Sequence, residues 1–179
     1  MVRHSNGHSK LNMGVTEYLY SSKRPLIIAG GGIRLAGAVK EFGRLVDMAN
    51  MPVVAPLMGI DLLLADNPLY MGHGGTKGQR GANMVTQRAD LIISIGSRLC
   101  ISFIGHNPAQ FAPTAKKIIV DIDKKEHSKK TIKIDLFLEM DAKKFISDLT
   151  DVFKEDKKLK HRWLEWVEEC KTIKRNKVS

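Results

Sequence analysis

Four apolar residues, Leu26-Ile27-Ile28-Ala29, run without a break into Gly30-Gly31-Gly32-Ile33-Arg34. A short apolar run with no polar alternation is the pattern of a strand buried on both faces. Glycine has no Cβ, so the turn that follows can adopt unusual φ/ψ values and approach another backbone closely. A helical pattern begins directly after it. Strand, glycine turn and helix in this order open a βαβ unit, which confines the chain to a parallel sheet with helices packed over it. A helix N-terminus behind glycines also suits an anion, because its free N–H groups and positive partial charge point outward. The run therefore reads as a nucleotide site, a relic of one, or a tight turn.

The rest of the chain repeats the theme. Asn12 to Tyr20 has the look of a short helix before the core. Leu35, Ala38, Val39, Phe42, Leu45, Val46 and Ala49 recur at three- and four-residue spacing and predict one helix with one apolar face. Asn50 and Pro52 stop it, and Pro52-Val53-Val54-Ala55-Pro56 is a second strand with its prolines at the ends. Leu57 to Gly81 is rich in turn residues and predicts a long irregular loop with one helical turn near Leu62. A helix over Ala82–Gln87 precedes an apolar strand, Leu91 to Ile95, that again ends in glycine, Gly96-Ser97-Arg98. Lys117 to Asp123 is a strand ending in carboxylates, and Thr131 to Leu138 alternates like a further one. Asp141 caps a helix carrying Phe145, Ile146, Leu149, Val152 and Phe153. A final helix has Leu159, Trp163, Trp166, Val167, Cys170 and Ile173 on one stripe. The expected fold is α/β: a Rossmann-like doubly wound parallel sheet of five to six strands with helices on both faces.

Composition excludes several classes. With 179 residues, 43% of them hydrophobic, the chain can bury one full core. No apolar stretch approaches the roughly 20 residues that span a bilayer, and the polar first twelve residues lack the apolar core of a signal peptide. Residues 1–12 read as a flexible lead-in, an expression remnant or the cut end of something longer. Cys100 and Cys170 stand far apart and suggest neither a disulfide framework nor a zinc site, so a reducing, cytoplasmic compartment is the expectation. The formal net charge of +10 raises nucleic acid as a partner. However, the lysines lie in scattered pairs with acids between them, and aromatic stacking platforms are few, so solvated surface accounts for them better.

In a doubly wound sheet, ligands bind outside the carboxyl ends of the strands. Gly30, Gly31, Gly32 and Arg34, Leu57 and Met58, Gly96, Ser97 and Arg98, and Asp121, Ile122 and Asp123 all fall on that edge. They are the candidate cofactor-binding residues. The glycine run is neither a P-loop, because Ala38 and Val39 stand where Lys and Ser/Thr belong, nor a full dinucleotide fingerprint, because Leu35 replaces the third glycine. Arg34 and Arg98 could hold phosphates or pair with local acids. Asp121 and Asp123 could accept from ribose hydroxyls or cap the helix beginning near Lys124. The six histidines are scattered, no metal-binding spacing occurs, and no catalytic constellation emerges.

Taken in order, these segments resemble the central domain of thiamine-diphosphate-dependent enzymes of the acetolactate synthase type. The residues that carry the resemblance are Arg24 to Ala38, Met51-Pro52-Val53-Val54, Leu57-Met58-Gly59, Asn67 to Gly72, Ala89 to Arg98, Phe111 to Ala115, Val120 to Asp123 and Asp141-Ala142-Lys143. The resemblance implies a six-stranded parallel sheet lying between a pyrimidine-binding and a diphosphate-binding domain. Those neighbours would hold thiamine diphosphate and magnesium, and would do the catalysis of a transferase or lyase acting on 2-oxo acids. It also implies residues 13–155 as the central domain, residues 156–179 as a helix leading into a connector, and other domains or subunits, in a homo-oligomer, as partners. No Gly-Asp-Gly with a downstream Asn occurs in the chain, so on its own it is expected to be inactive, a scaffold with a vestigial nucleotide cleft. Such central domains often carry FAD, and the candidate residues above match segments lining that site. The match fails where flavin-binding synthases continue Phe-Asp-Asp-Arg and this chain has Leu99-Cys100-Ile101-Ser102, and where a loop His is replaced by Lys77. Losing these polar contacts, each worth roughly 0.5–3 kcal/mol, weakens flavin and leaves ADP or no ligand compatible. A free-standing FAD-, NAD- or ADP-binding module is the alternative.

Overall fold

The strands of the chain line up in the order β3-β2-β1-β4-β5-β6, all parallel. They are β1 (Pro25–Ala29), β2 (Val53–Ala55), β3 (Tyr70–His73), β4 (Leu91–Ile95), β5 (Lys116–Asp121) and β6 (Leu136–Glu139). The computed structural model describes residues 13–128 and 131–176. The order reverses between β1 and β4, which is where an open parallel sheet presents its ligand crevice. Both central strands are buried from end to end, as uninterrupted apolar runs require when helices cover both faces.

The helices are α1 (Met13–Ser21), α2 (Gly32–Leu35), α3 (Val39–Ala49), α4 (Arg80–Arg88), α5 (Ile101–Ile104), α6 (Lys124–His127), α7 (Ala142–Glu155) and α8 (Leu164–Asn176). α3 packs beside α7, and α4 beside α8. The stripe Phe42, Leu45, Val46 and Ala49 faces the core, and Asn50 in the left-handed region closes α3 with its N–H on the Val46 carbonyl. Asp141 caps α7 as expected: its Oδ1 accepts from the N–H groups of Lys143 (2.8 Å) and Lys144 (3.1 Å).

Three expectations need correction. The helix drawn through Leu35 is broken: α2 ends there, Gly37 takes φ +64°, and α3 starts at Val39. Leu35 is 89% exposed and does not belong to the core stripe. The loop expected over Leu57–Gly81 contains a 3-10 turn at Leu57–Gly59 and the whole of edge strand β3. β3 escapes a pattern reading because Pro68 precedes it and Gly72 at φ +110° interrupts it; pairing with β2 slips in register between Val53 and Val54 to accommodate this. The strand expected over Thr131–Leu138 begins only at Leu136. Asp135 sets that start: its N–H donates to the Lys117 carbonyl, and its Oδ2 accepts from the Lys117 N–H (both 3.0 Å).

The C-terminal stretch lies on the body of the domain. Trp163 Nε1 donates to the Ser22 carbonyl (3.1 Å) and Trp166 Nε1 to the Pro25 carbonyl (2.9 Å). Cys170 and Ile173 join the same core, and Lys174 Nζ donates to the Tyr70 carbonyl of β3 (2.6 Å), so α8 covers the sheet edge. Among the described residues no helix is long and apolar enough to cross a membrane.

Candidate functional site

At the carboxyl edge of the sheet the strand-end loops interlock through glycine. Gly30 N–H donates to Ile95 O, Gly32 N–H to Gly96 O and Gly96 N–H to Val120 O, each at 2.9 Å. A Cβ on Gly30 would sit 2.2 Å from the Gly96 carbonyl oxygen, and Gly96 itself has φ +58°. The glycines are there because two backbones cross in contact, a demand no L side chain meets. Two of the three amides in the opening run are spent on this crossing, and α2 behind them has only four residues. The phosphate-cradle reading of the run loses two of its three donors in this way.

Between the ends of β1, β4, β5 and β6 lies a cleft of about 320 Å³. Gly32, Gly96, Arg98, Asp121, Ile122 and Asp123 line it, joined by Leu35, Ala36, Met140, Asp141 and Ala142. Gly30, Gly31, Arg34, Leu57, Met58 and Ser97 stand outside that lining. Arg34 is held by Asp61, with a 3.0 Å bond from Nε to Oδ2, and donates to the Met58 carbonyl at 3.1 Å. It fastens the loop after β2 to the loop after β1 instead of reaching toward a phosphate. Leu57 and Met58 are mostly exposed, and the buried Ser97 Oγ accepts from the Leu99 N–H (3.3 Å).

The two acids at the end of β5 are bound locally. Asp121 Oδ1 accepts from the Asp123 N–H (3.0 Å), and its Oδ2 meets His127 Nε2 (3.2 Å). Burial pushes the Asp121 carboxyl up, but the His127 ring and the N–H groups of Asp123 and Ile122 outweigh that and hold it below the ordinary carboxylate range. Asp123 caps α6 through the Glu126 N–H (3.1 Å). Arg98 is different. It is exposed and makes no side-chain hydrogen bond or ion pair with a described residue, which leaves a full guanidinium at the cleft wall. The neighbouring Leu99 is buried at φ +46°, and Cys100 Sγ and Ser102 Oγ pair with each other at 3.0 Å.

Sequence reasoning missed His127 and the Met140–Ala142 wall. His127 carries no spacing signal, because its link to Asp121 forms only when α6 turns back over β5. Met140 is placed by its N–H on the Asp121 carbonyl (3.2 Å), a contact across strands. A larger opening, about 690 Å³, lies at the other end of β5. Its buried Lys117 Nζ is committed to the carbonyls of Ala112 (2.8 Å) and Ala115 (2.9 Å). Among the described residues no group of three or more His, Cys, Asp or Glu could hold a metal ion.

A sheet of this order, with its glycine crossing at the switch point, defines a Rossmann-like, doubly wound α/β domain. The family described as thiamine pyrophosphate enzyme, central domain, matches residues 14–149, and the chain belongs to it. It is similar to the probable acetolactate synthase large subunit of Methanococcus aeolicus, with 33% identity over 96% of this chain and 30% of that protein. A similar protein described in the same words, from Methanocaldococcus jannaschii, is 34% identical over 93% of the chain and 28% of its own length. The acetolactate synthase large subunit of Lactococcus lactis is 36% identical over 87% and 26%. The chain thus spans less than a third of the length of these relatives.

Proposed function

We propose that the chain acts as the non-catalytic central scaffold of a larger, cytoplasmic, homo-oligomeric enzyme that decarboxylates or joins 2-oxo acids. Thiamine diphosphate and magnesium sit on the neighbouring domains, with residues 13–155 as the central domain and the stretch beyond them leading toward the next. Its cleft takes the adenosine diphosphate half of a nucleotide in preference to whole FAD. The observation that carries this reading is Arg98, an unpartnered guanidinium at the point where β1, β4 and β5 end together. At about 320 Å³ the cleft is at the small end of ligand sites, which run to roughly 300–1,000 Å³. Leu99 to Ser102 add no charged group with which to hold the rest of a flavin.

Calorimetric titration of the chain with ADP, FAD and NAD tests the ligand. ADP is expected to bind, FAD no more tightly than ADP, and Arg98→Gln to weaken ADP by about ten- to a hundredfold, the worth of a charge-assisted contact. A flat response to all three discards the cleft as a nucleotide site. Decarboxylation of pyruvate by the chain alone would discard the scaffold role.

A further inference from the structure

Beside the cleft lies a second chamber of about 400 Å³, between the segment after β4, α6 and the approach to β6. Five of its eleven lining residues are aliphatic: Leu99, Ile101, Ile104, Ile132 and Ile134. Arg98 lines this chamber as well as the cleft. Among the described residues the other charged groups at its wall are already engaged: His127 with Asp121, and Glu126 in an interaction of its own. An unpaired cation above an aliphatic basin matches one kind of small molecule, an anion with an apolar tail.

We propose that this chamber binds an aliphatic carboxylate, its head on the Arg98 guanidinium and its chain along Ile104, Ile132 and Ile134. The planar fork of a guanidinium fits a carboxylate through two parallel hydrogen bonds. Each methylene taken from water favours binding by about fourfold, so affinity climbs steeply with chain length until the chamber is full. The nucleotide reading is not required: none of the aliphatic residues of this chamber lines the cleft, and only Arg98 is shared.

The chain carries its own reporter. Cys100 lines the chamber and is exposed, whereas Cys170 is fully buried. Alkylation by iodoacetamide, followed by intact mass, therefore reads Cys100. Octanoate is expected to slow alkylation saturably, and hexanoate to need about fifteenfold more for the same protection. Octan-1-ol, with the chain but not the charge, gives little protection at that concentration. Arg98→Gln, at an exposed residue without a partner, leaves the fold intact and raises the half-protecting octanoate concentration about tenfold or more. Ile132→Glu, at a half-buried wall position, removes protection while ADP titration of the same variant keeps its wild-type result. Absence of protection by octanoate overturns the proposal. So does equal protection by octan-1-ol, or an Arg98→Gln variant that octanoate protects as well as the wild type.

Discussion

At the residue scale, glycines in this chain differ sharply in what they do. Gly30 faces backbone at a distance no Cβ tolerates, whereas Gly43, inside α3, has nothing within 4 Å of where a Cβ would stand. Gly30→Ala is expected to lose about 2–4 kcal/mol, because the crossing with Gly96 must open. Gly43→Ala is expected to gain about 0.5–1 kcal/mol from helix propensity alone. Urea unfolding of the two variants beside the wild type checks both signs. The sequence showed that glycine mattered at position 30 but not for what. The residue it crosses lies 66 positions downstream, and only the pairing of β1 with β4 brings Gly96 there. Arg34 and Arg98 looked alike for the same reason. Asp61, which claims the first, sits in a segment with no periodic pattern to place it.

At the element scale, the fully buried strands and the capped helices were legible, because their signals are local. β1, β4, β5, α3 and α7 each carry their pattern within a dozen residues. β3 was not legible, and β6 was legible as a strand but not in where it starts, because pairing decides both. β3 exists by lying against β2 despite Gly72, and β6 starts where Asp135 can bridge to β5. Asp135 holds the Lys117 N–H with one oxygen and Lys116 Nζ with the other (3.2 Å). Burial raises its carboxyl, but the Lys117 N–H and Lys116 more than offset this, so it lies below the ordinary value of 3.8. A carboxyl lowered by folding contributes stability that is complete above that value and is lost as pH falls through the folded one. Asp135→Asn should cost about 1–3 kcal/mol near neutrality by weakening the bond to the Lys117 N–H. The gap from wild type should then narrow steadily below about pH 3.8, and acid titration of thermal stability for the two proteins measures it.

At the scale of the whole molecule, the segment after α7 closes the domain. Trp163 and Trp166 hang their N–H groups on carbonyls at the start of the sheet, about 140 residues away in sequence. Trp163 is fully buried, so Trp163→Ala should cost about 3–5 kcal/mol in chemical denaturation. A chain ending at Glu155 should lose its single cooperative transition altogether, whereas loss of only the last three residues should change nothing. An equally cooperative transition in both would mean that the stretch belongs to the connector and not to the core. The apolar stripe of this helix could be read from its spacing. The surface it covers could not, since that surface is assembled from α4, β1 and β3.

One optical consequence follows from that seam. These are the molecule's two tryptophans, and both lie on the segment that follows α7. Indole emission from this chain therefore reports a single place, where the last helix meets the first strand. Where this chain sits inside a longer enzyme, a pull on that segment from beyond residue 176 would register as a change in colour before the sheet itself gave way.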